Sequence, residues 1–289
     1  MSLGRRILLF PLTRLAIWLG VAGILYLPLS RLTAALPIRF IHGRFAEALT
    51  VTLALLLVAW LVERRTAADV GFRLEGAVQE TVWGFLLGGV LLTAVIGIMA
   101  LGGLYIVKGT NVGAAGIWSR LGWNLVAYLW VGVSEEVALR GLFFRLIEEW
   151  LGSGIALFLS ALLFGLLHIF NPNATLLAAI AVGVEAGVLL AGAYMLTRNL
   201  WLAIGIHWAW NFFEGPIYGT AVSGSLDGSG VITSGLLRPE LHGPVLWTGG
   251  GFGPEAGLVT LVVCTIAGLL MVQYAARSGH WVALPWRRR

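Results

Sequence analysis

One apolar stretch of this sequence carries two adjacent carboxylates and a guanidinium, in Glu135, Glu136 and Arg140. Glu136 and Arg140 are four residues apart, so on a helix they share a face and can form an ion pair. Glu135 is turned about 100° away and is free to face another group. A buried ion-pair network without chemistry would account for the same residues. The functional alternative is that Glu135 acts as a general base.

Two further apolar stretches each carry a histidine. His168 follows Phe164 by four residues and precedes the turn signal Asn171-Pro172-Asn173. His207 precedes Asn211 by four residues, so these two also share a helix face. Taken singly, His168 is typical of an interfacial polar residue. His207 with Asn211 is equally typical of a hydrogen bond between helices.

Taken together, Glu135, His168, His207 and Asn211 indicate hydrolysis at a carbonyl group. A carboxylate and two imidazoles can hold a divalent metal, zinc above all, with an open water position. The same groups can hold a water without metal, with Glu135 as the general base. In either version His207 and Asn211 can donate to the oxyanion of a tetrahedral intermediate. The sequence contains neither H-E-x-x-H nor G-x-S-x-G, so the metal-dependent and metal-free versions both stay open.

The composition makes a lipid bilayer the expected solvent for this chain. Of its 289 residues, 58% are hydrophobic and 11% are charged, whereas soluble domains carry about a quarter charged residues. Long apolar runs without alternation favour helices over barrel strands. An ionisable group at mid-bilayer costs about 2.5–3.5 kcal/mol on insertion scales, which makes the polar groups above functional candidates. Basic residues occur singly or at span ends, and this argues against nucleic-acid binding.

We predict an all-α polytopic membrane protein with one domain, residues 1–289, and about eight transmembrane helices around the site. The connection Gly215–Glu255 is rich in Gly, Ser and Pro, and Gly249-Gly250-Gly251 is a candidate hinge for a loop that covers the site. The expected spans are Leu12–Leu29, Phe45–Val62, Val82–Val107, Gly122–Ile147, Gly154–Phe170, Thr175–Leu196, Leu200–Phe213 and Ala256–Ala275.

Basic residues near the span ends indicate an orientation. An even number of spans places both termini on one side, and that side collects more arginines than the other, including Arg287–Arg289. Arg31, Arg39 and Arg44 argue in the opposite direction. The prediction is that the termini lie in the cytoplasm. The mouth of the site, near the two loops that follow His168 and Asn211, should lie on the opposite face.

Three motifs, in this order, resemble the CPBP family of intramembrane endopeptidases, which includes the type II CAAX prenyl proteases and the bacteriocin-processing, Abi-like enzymes. They are E-E-x-x-x-R at Glu135–Arg140, F-x-x-x-H at Phe164–His168 and H-x-x-x-N at His207–Asn211. The resemblance covers about residues 121–270, including the stretch Gly249–Gly257.

The resemblance implies an eight-helix protease whose substrate is a membrane-associated protein or peptide. It implies catalytic roles for Glu135, His168, His207 and Asn211, with Glu136, Arg140 and Phe164 in support. If a metal is used, its ligands would be Glu135, His168 and His207. The Gly-rich loop and the absence of eukaryotic features favour a bacterial cytoplasmic membrane as the location.

Two other functions fit part of the sequence. A non-enzymatic immunity or scaffold membrane protein could keep this fold, but the intact motifs argue against it. A proton-coupled carrier could use Glu135, Glu136 and Glu185 as a relay, but the first three spans lack the acids for a continuous path. Glu185, in the sixth span, should pair with Arg140, bond a site histidine or stay protonated. Glu214 is expected to be a helix-end residue, with a site residue as the second interpretation.

Overall fold

The computed structural model describes residues 2–36, 41–225 and 235–285. Arg39 and Arg287–Arg289, on which part of the orientation prediction rests, lie outside these ranges, as does the middle of the Gly215–Glu255 connection.

The described residues form eleven α-helices and one two-stranded antiparallel sheet. The helices are α1 (Leu3–Leu8), α2 (Pro11–Ala34), α3 (His42–Val58), α4 (Ala77–Leu101), α5 (Ile117–Glu136), α6 (Arg145–Leu151), α7 (Ser153–His168), α8 (Leu176–Thr197), α9 (Trp201–Phe212), α10 (Val245–Thr248) and α11 (Leu258–Arg277). The strands are β1 (Tyr105–Thr110) and β2 (Leu237–Leu241).

Within the described ranges, five helices are long and apolar enough to cross a membrane. They are α2, α3 with its π-helical extension to Glu63, α4, α8 and α11. Helix α7 is apolar but has 16 residues, and α9 has 12. Helix α5 continues into the charged stretch that holds the first motif. The helical membrane architecture is therefore confirmed, and the number of eight spans stays a prediction.

The third expected span, Val82–Val107, is wrong at its C-terminal end. Helix α4 stops earlier because a Gly-Gly pair follows it, and Gly103 adopts a left-handed φ of 69°. The β-branched residues that follow form β1, which pairs with β2 from the long connection. This small sheet corrects the purely all-α class. It also attaches part of the long connection to the helical bundle.

Small residues let the helices that carry the site approach closely. Helix α9 crosses α4 at Gly205, where an added Cβ would lie 2.3 Å from the carbonyl oxygen of Thr81. Helix α7 crosses α8 at Gly165, where an added Cβ would lie 2.3 Å from the carbonyl oxygen of Ala179. In lipid, such close packing is a main source of helix association. Each glycine lies within one turn before a site histidine, so these crossings position both imidazoles.

The helix of the acidic pair changes its winding directly after that pair. Helix α5 ends at Glu136, and Val137–Phe144 form a π-helical turn before α6. Turns of this kind occur frequently at functional sites. The predicted ion pair across the junction is confirmed, since Arg140 Nη1 lies 2.9 Å from Glu136 Oε1.

Ion pairs connect several helices at the end of the bundle where α7 begins. Arg145 donates to both carboxylate oxygens of Glu63, at 2.7 and 3.0 Å. Arg14 contacts Glu63 at 3.2 Å and Glu149 at 2.9 Å. These contacts join α2, the end of α3 and α6. The histidine of α7 lies at its other end, about 24 Å away at 1.5 Å per residue, so this network anchors the scaffold and not the site.

Candidate active site

Glu136 joins two of the three motifs. Its Oε1 atom accepts from Arg140 Nη1 at 2.9 Å and lies 2.8 Å from His207 Nδ1. Both Glu136 and Arg140 are fully buried. The sequence predicted a purely structural pair of Glu136 and Arg140. The structure adds the bond to His207, which connects the first motif directly to the third.

Arg140 also fixes neighbouring helices. Its Nη2 atom donates to the carbonyl oxygens of Ala186 and Gly187 on α8, at 3.3 and 3.4 Å. Its guanidinium carbon lies 4.9 Å from the ring centre of Phe164 on α7, a cation–π distance. The charge of Arg140 is therefore satisfied on three sides without reaching the cavity. This arrangement suits a supporting residue.

His207 lies between the two carboxyls of the acidic pair. A carboxylate only accepts hydrogen bonds, so Nδ1 of His207 donates to Glu136, which fixes the ring orientation. The other ring nitrogen, Nε2, lies 3.8 Å from Glu135 Oε2. This separation is too long for a direct hydrogen bond. Nε2 and the Glu135 carboxylate are thus near each other and available to a third group.

His168 is oriented by its own helix. Its Nδ1 atom lies 2.7 Å from the carbonyl oxygen of Phe164 and therefore donates to it. The imidazole stacks on the Phe164 ring, with centroids 4.5 Å apart. The hydrogen bond to the Phe164 carbonyl places a proton on Nδ1, and Nε2 takes no part in it. Phe164 supports His168 from both its backbone and its ring.

All four expected catalytic residues line one cavity of about 320 Å³, which we call the active-site cavity. Its wall also contains Asn171, Val222 and Ser223, from the two loops that the sequence placed at the mouth. Asn173 Nδ2 donates to the carbonyl oxygen of Gly224 at 3.1 Å and so joins these loops. Residues 171–173 and 222–225 of the two loops therefore lie together beside the cavity.

A second and larger cavity, of about 800 Å³, shares Glu135 and His168 with the first. Most of its wall is apolar and comes from α2, α3, the π-helical segment Val137–Phe144 and α7, including Trp18, Leu139 and Leu167. We call it the apolar cleft. Its size lies within the range of cavities that hold a ligand of several hundred daltons. A polar reaction site thus borders directly on an apolar one.

The family comparison agrees with the motifs. Residues 116–213 match the model described as type II CAAX prenyl endopeptidase Rce1-like. The match runs from the N-cap of α5 to the C-cap of α9 and contains all three motifs. This stretch, about a third of the chain, is therefore similar to the family that the motifs indicated. No curated protein and no solved structure matches the chain.

Glu185 does not form the ion pair with Arg140, which was one of the three alternatives expected for it. Arg140 is paired with Glu136, and the described residues contain no ion pair between Arg140 and Glu185. The Glu185 carboxyl is instead hydrogen-bonded to Cys264 on α11. Glu214 does lie at a helix end, in the π-helical turn Phe213–Ile217, yet it is fully buried. Glu255 is buried nearby and was missed, because nothing in its Gly-rich surroundings predicted burial.

The expected metal ligands do not form a ready coordination site. Across the described ranges, no group of three or more His, Cys, Asp or Glu side chains is arranged to hold a metal ion. The Nδ1 atoms of His168 and His207 are both used in hydrogen bonds within the protein. Metal-ligating histidines usually make such a bond and coordinate through Nε2, so both rings keep the nitrogen that a metal would use, and the metal stays a prediction. We derive no reaction step through a metal.

Proposed function

We propose that this protein is an intramembrane endopeptidase that hydrolyses a peptide bond of a membrane-associated protein or peptide. The observation that carries the proposal is the grouping of Glu135, His168, His207 and Asn211 around one cavity. A carboxylate, two imidazoles and an amide are the groups that water activation and oxyanion stabilisation require. The family match supports protease activity independently of this geometry.

The proposed reaction uses Glu135 as general base. Glu135 takes a proton from a water held with His168, and the water oxygen forms a bond to the carbonyl carbon of the substrate. The oxyanion of the tetrahedral intermediate accepts hydrogen bonds from the Asn211 amide and from the imidazolium form of His207. Glu135 then gives its proton to the leaving nitrogen as the C–N bond breaks. One water is consumed, and Glu135 regains its starting state.

The apolar cleft supports a substrate with a membrane-embedded part. It shares Glu135 and His168 with the active-site cavity, so an apolar chain in the cleft would end beside the general base. Lipid tails are as apolar as the cleft, so the cleft would select such a chain by shape and van der Waals packing. The polar peptide would occupy the active-site cavity, beside Asn171 and Ser223. We propose that this division between cleft and cavity selects peptide bonds close to a membrane anchor.

The proposal is tested by comparing the termini of membrane proteins in cells that carry the native chain or Glu135→Gln. We expect a set of new termini that depends on Glu135, because loss of a general base costs about 10²–10⁴-fold in rate. Glu75→Gln is the matched control, since Glu75 is exposed and does not line the cavity. Identical termini in the native and Glu135→Gln cells, at equal protein levels, would contradict the proposed function.

A further inference from the structure

Three buried carboxyls lie behind the active-site cavity, outside the CPBP motifs. Glu185 on α8, Glu214 after α9 and Glu255 before α11 each expose at most 4% of their surface. Their close neighbours are one another, Cys264, Ser223 and His168, and these include no Lys or Arg among the described residues. Buried carboxylates without a cation are costly, so the group needs another source of stability.

Glu214 and Glu255 contact each other directly. Their carboxyl groups lie within hydrogen-bonding reach of one another, and the backbone N–H of Glu255 donates to Glu214 Oε1 at 3.3 Å. Two ionised carboxylates offer acceptors only and cannot bond each other. Among the described residues, Glu214 Oε2 and Glu255 Oε1 are buried atoms without a hydrogen-bond partner. One proton between the two acids would give both oxygens a partner.

The same two acids hold one wall of the active-site cavity. We call residues 220–225 the wall segment. The Glu255 carboxyl accepts hydrogen bonds from the hydroxyl and the backbone N–H of Ser223. The Glu214 carbonyl oxygen accepts from Thr220 N at 3.1 Å and from Thr220 Oγ1 at 2.9 Å. Ser223 is thus held by the Glu255 carboxyl, and Thr220 is held by the backbone of Glu214.

Ser223 shows that the wall segment is held under constraint. Its φ angle is 47°, in the left-handed region that residues other than glycine adopt rarely and at a cost. Such a conformation persists only where the surroundings impose it, and here the Glu255 carboxyl supplies two bonds. Ser223 and Glu255 also line a small cavity of about 20 Å³ together with His168 and Asn211. That volume admits about one water, so the wall packs closely on the site.

We propose that Glu214 and Glu255 share one proton and act as positioning residues that hold the wall segment against the active-site cavity. The acid–carboxylate hydrogen bond joins the end of α9 to the start of α11, and Ser223 is held on this bridge. His168 is the one cation-forming group that faces the pair among the described residues. The inference rests on the proposed function only for the role of the cavity, and the bridge itself can be tested without a substrate.

The test measures how fast a buried thiol in the wall segment reacts with a maleimide in the purified full-length protein. The reporter is Val222→Cys, because Val222 exposes 7% of its surface and a cysteine is close to it in size. Cys264→Ala removes the native thiol. Into this background we place Glu255→Ala, Glu255→Gln, Glu214→Gln and Ser223→Ala. Glu240→Gln, at an exposed position on β2, is the matched control.

We expect Glu255→Ala and Ser223→Ala to raise the labelling rate about tenfold, because each removes a buried hydrogen bond and promotes local opening. Glu255→Gln and Glu214→Gln should stay within about twofold of the background, since an amide can donate to the remaining carboxylate as the shared proton does. Glu240→Gln should have no effect. Labelling of the glutamine variants as fast as Glu255→Ala would overturn the shared proton. An unchanged labelling rate in Ser223→Ala would overturn the positioning role. Ser223→Ala also keeps the test valid if Glu255→Ala does not fold.

Discussion

His207 and Glu136 are joined by a hydrogen bond of 2.8 Å between Nδ1 and Oε1. The same carboxylate oxygen accepts from Arg140. Glu136 therefore has two functions that the sequence did not separate, since it neutralises a buried guanidinium and orients a site imidazole. Substitution of Glu136 should therefore have other consequences than substitution of Arg140.

Glu136→Gln should lower both stability and activity per folded molecule. Removal of one partner of a buried ion pair costs about 3–5 kcal/mol, because Arg140 keeps an uncompensated charge. Activity should also fall more than about tenfold, because a neutral amide no longer stabilises the imidazolium form of His207 that donates to the oxyanion. Thermal unfolding in detergent and cleavage per folded protein measure the two effects.

Arg140→Gln is the matched control and should lower stability while most activity per folded molecule survives. Full activity of folded Glu136→Gln would show that its bond to His207 is incidental.

Asn211→Ala should lower turnover about 10²–10³-fold, the usual effect of removing one oxyanion donor. Substrate binding should change little, because the donor acts mainly on charge that develops in the transition state. Measurements of kcat and KM on an identified substrate would separate these effects. A rise in KM with unchanged kcat would instead make Asn211 a binding residue. Asn124→Ala is a suitable control, since Asn124 lines the same cavity and donates to the Arg120 carbonyl oxygen of its own helix.

Gly205→Ala should destabilise the protein by about 1–3 kcal/mol, the usual cost of overpacking. An added Cβ would lie 2.3 Å from the Thr81 carbonyl oxygen, so α4 and α9 would have to separate. Activity should fall as well, because His207 lies on α9 just beyond this crossing. Gly97→Ala, on α4, is the control, since nothing lies within 4 Å of its added Cβ. Thermal unfolding of both variants tests this, and equal midpoints would contradict the close crossing.

The sequence was sufficient for relationships within one helix and insufficient for those between helices. The Glu136–Arg140 pair follows from four-residue spacing, which the helix repeat determines. The bond between Glu136 and His207 depends on how closely α5 approaches α9, and backbone spacing does not encode that distance. The Glu214–Glu255 contact depends on the path of a long Gly-rich connection, for which no periodic pattern exists. The family motifs supplied part of the missing information, because they assigned His168 and His207 to one site without any knowledge of helix packing.

Chelation should leave the cleavage activity within about twofold of its starting value, because no three ligands converge on a preformed position in the described residues. Activity on an identified substrate, before and after treatment with a strong chelator, measures this. Thermal unfolding with and without added Zn²⁺ provides a readout that needs no substrate, since a bound ion raises the unfolding midpoint. Loss of activity on chelation and recovery with Zn²⁺ would assign Glu135, His168 and His207 as metal ligands instead.

The face of the membrane on which the active-site cavity opens can be determined with single cysteines. Asn173 and Ser225 lie on the two loops beside the cavity and are both exposed, and Asn173 bonds the neighbour of Ser225. In a Cys264→Ala background, Asn173→Cys and Ser225→Cys should both react with a membrane-impermeant reagent in intact cells. The matched control Ser278→Cys, just after α11, should react only after the membrane is permeabilised. The arginine distribution predicts this result, because it places the termini in the cytoplasm. Reaction of Ser278→Cys alone would reverse the orientation and place the cavity on the cytoplasmic face, where a prenylated protein tail would meet it. Reaction of only one of Asn173→Cys and Ser225→Cys would contradict the shared face of the two loops.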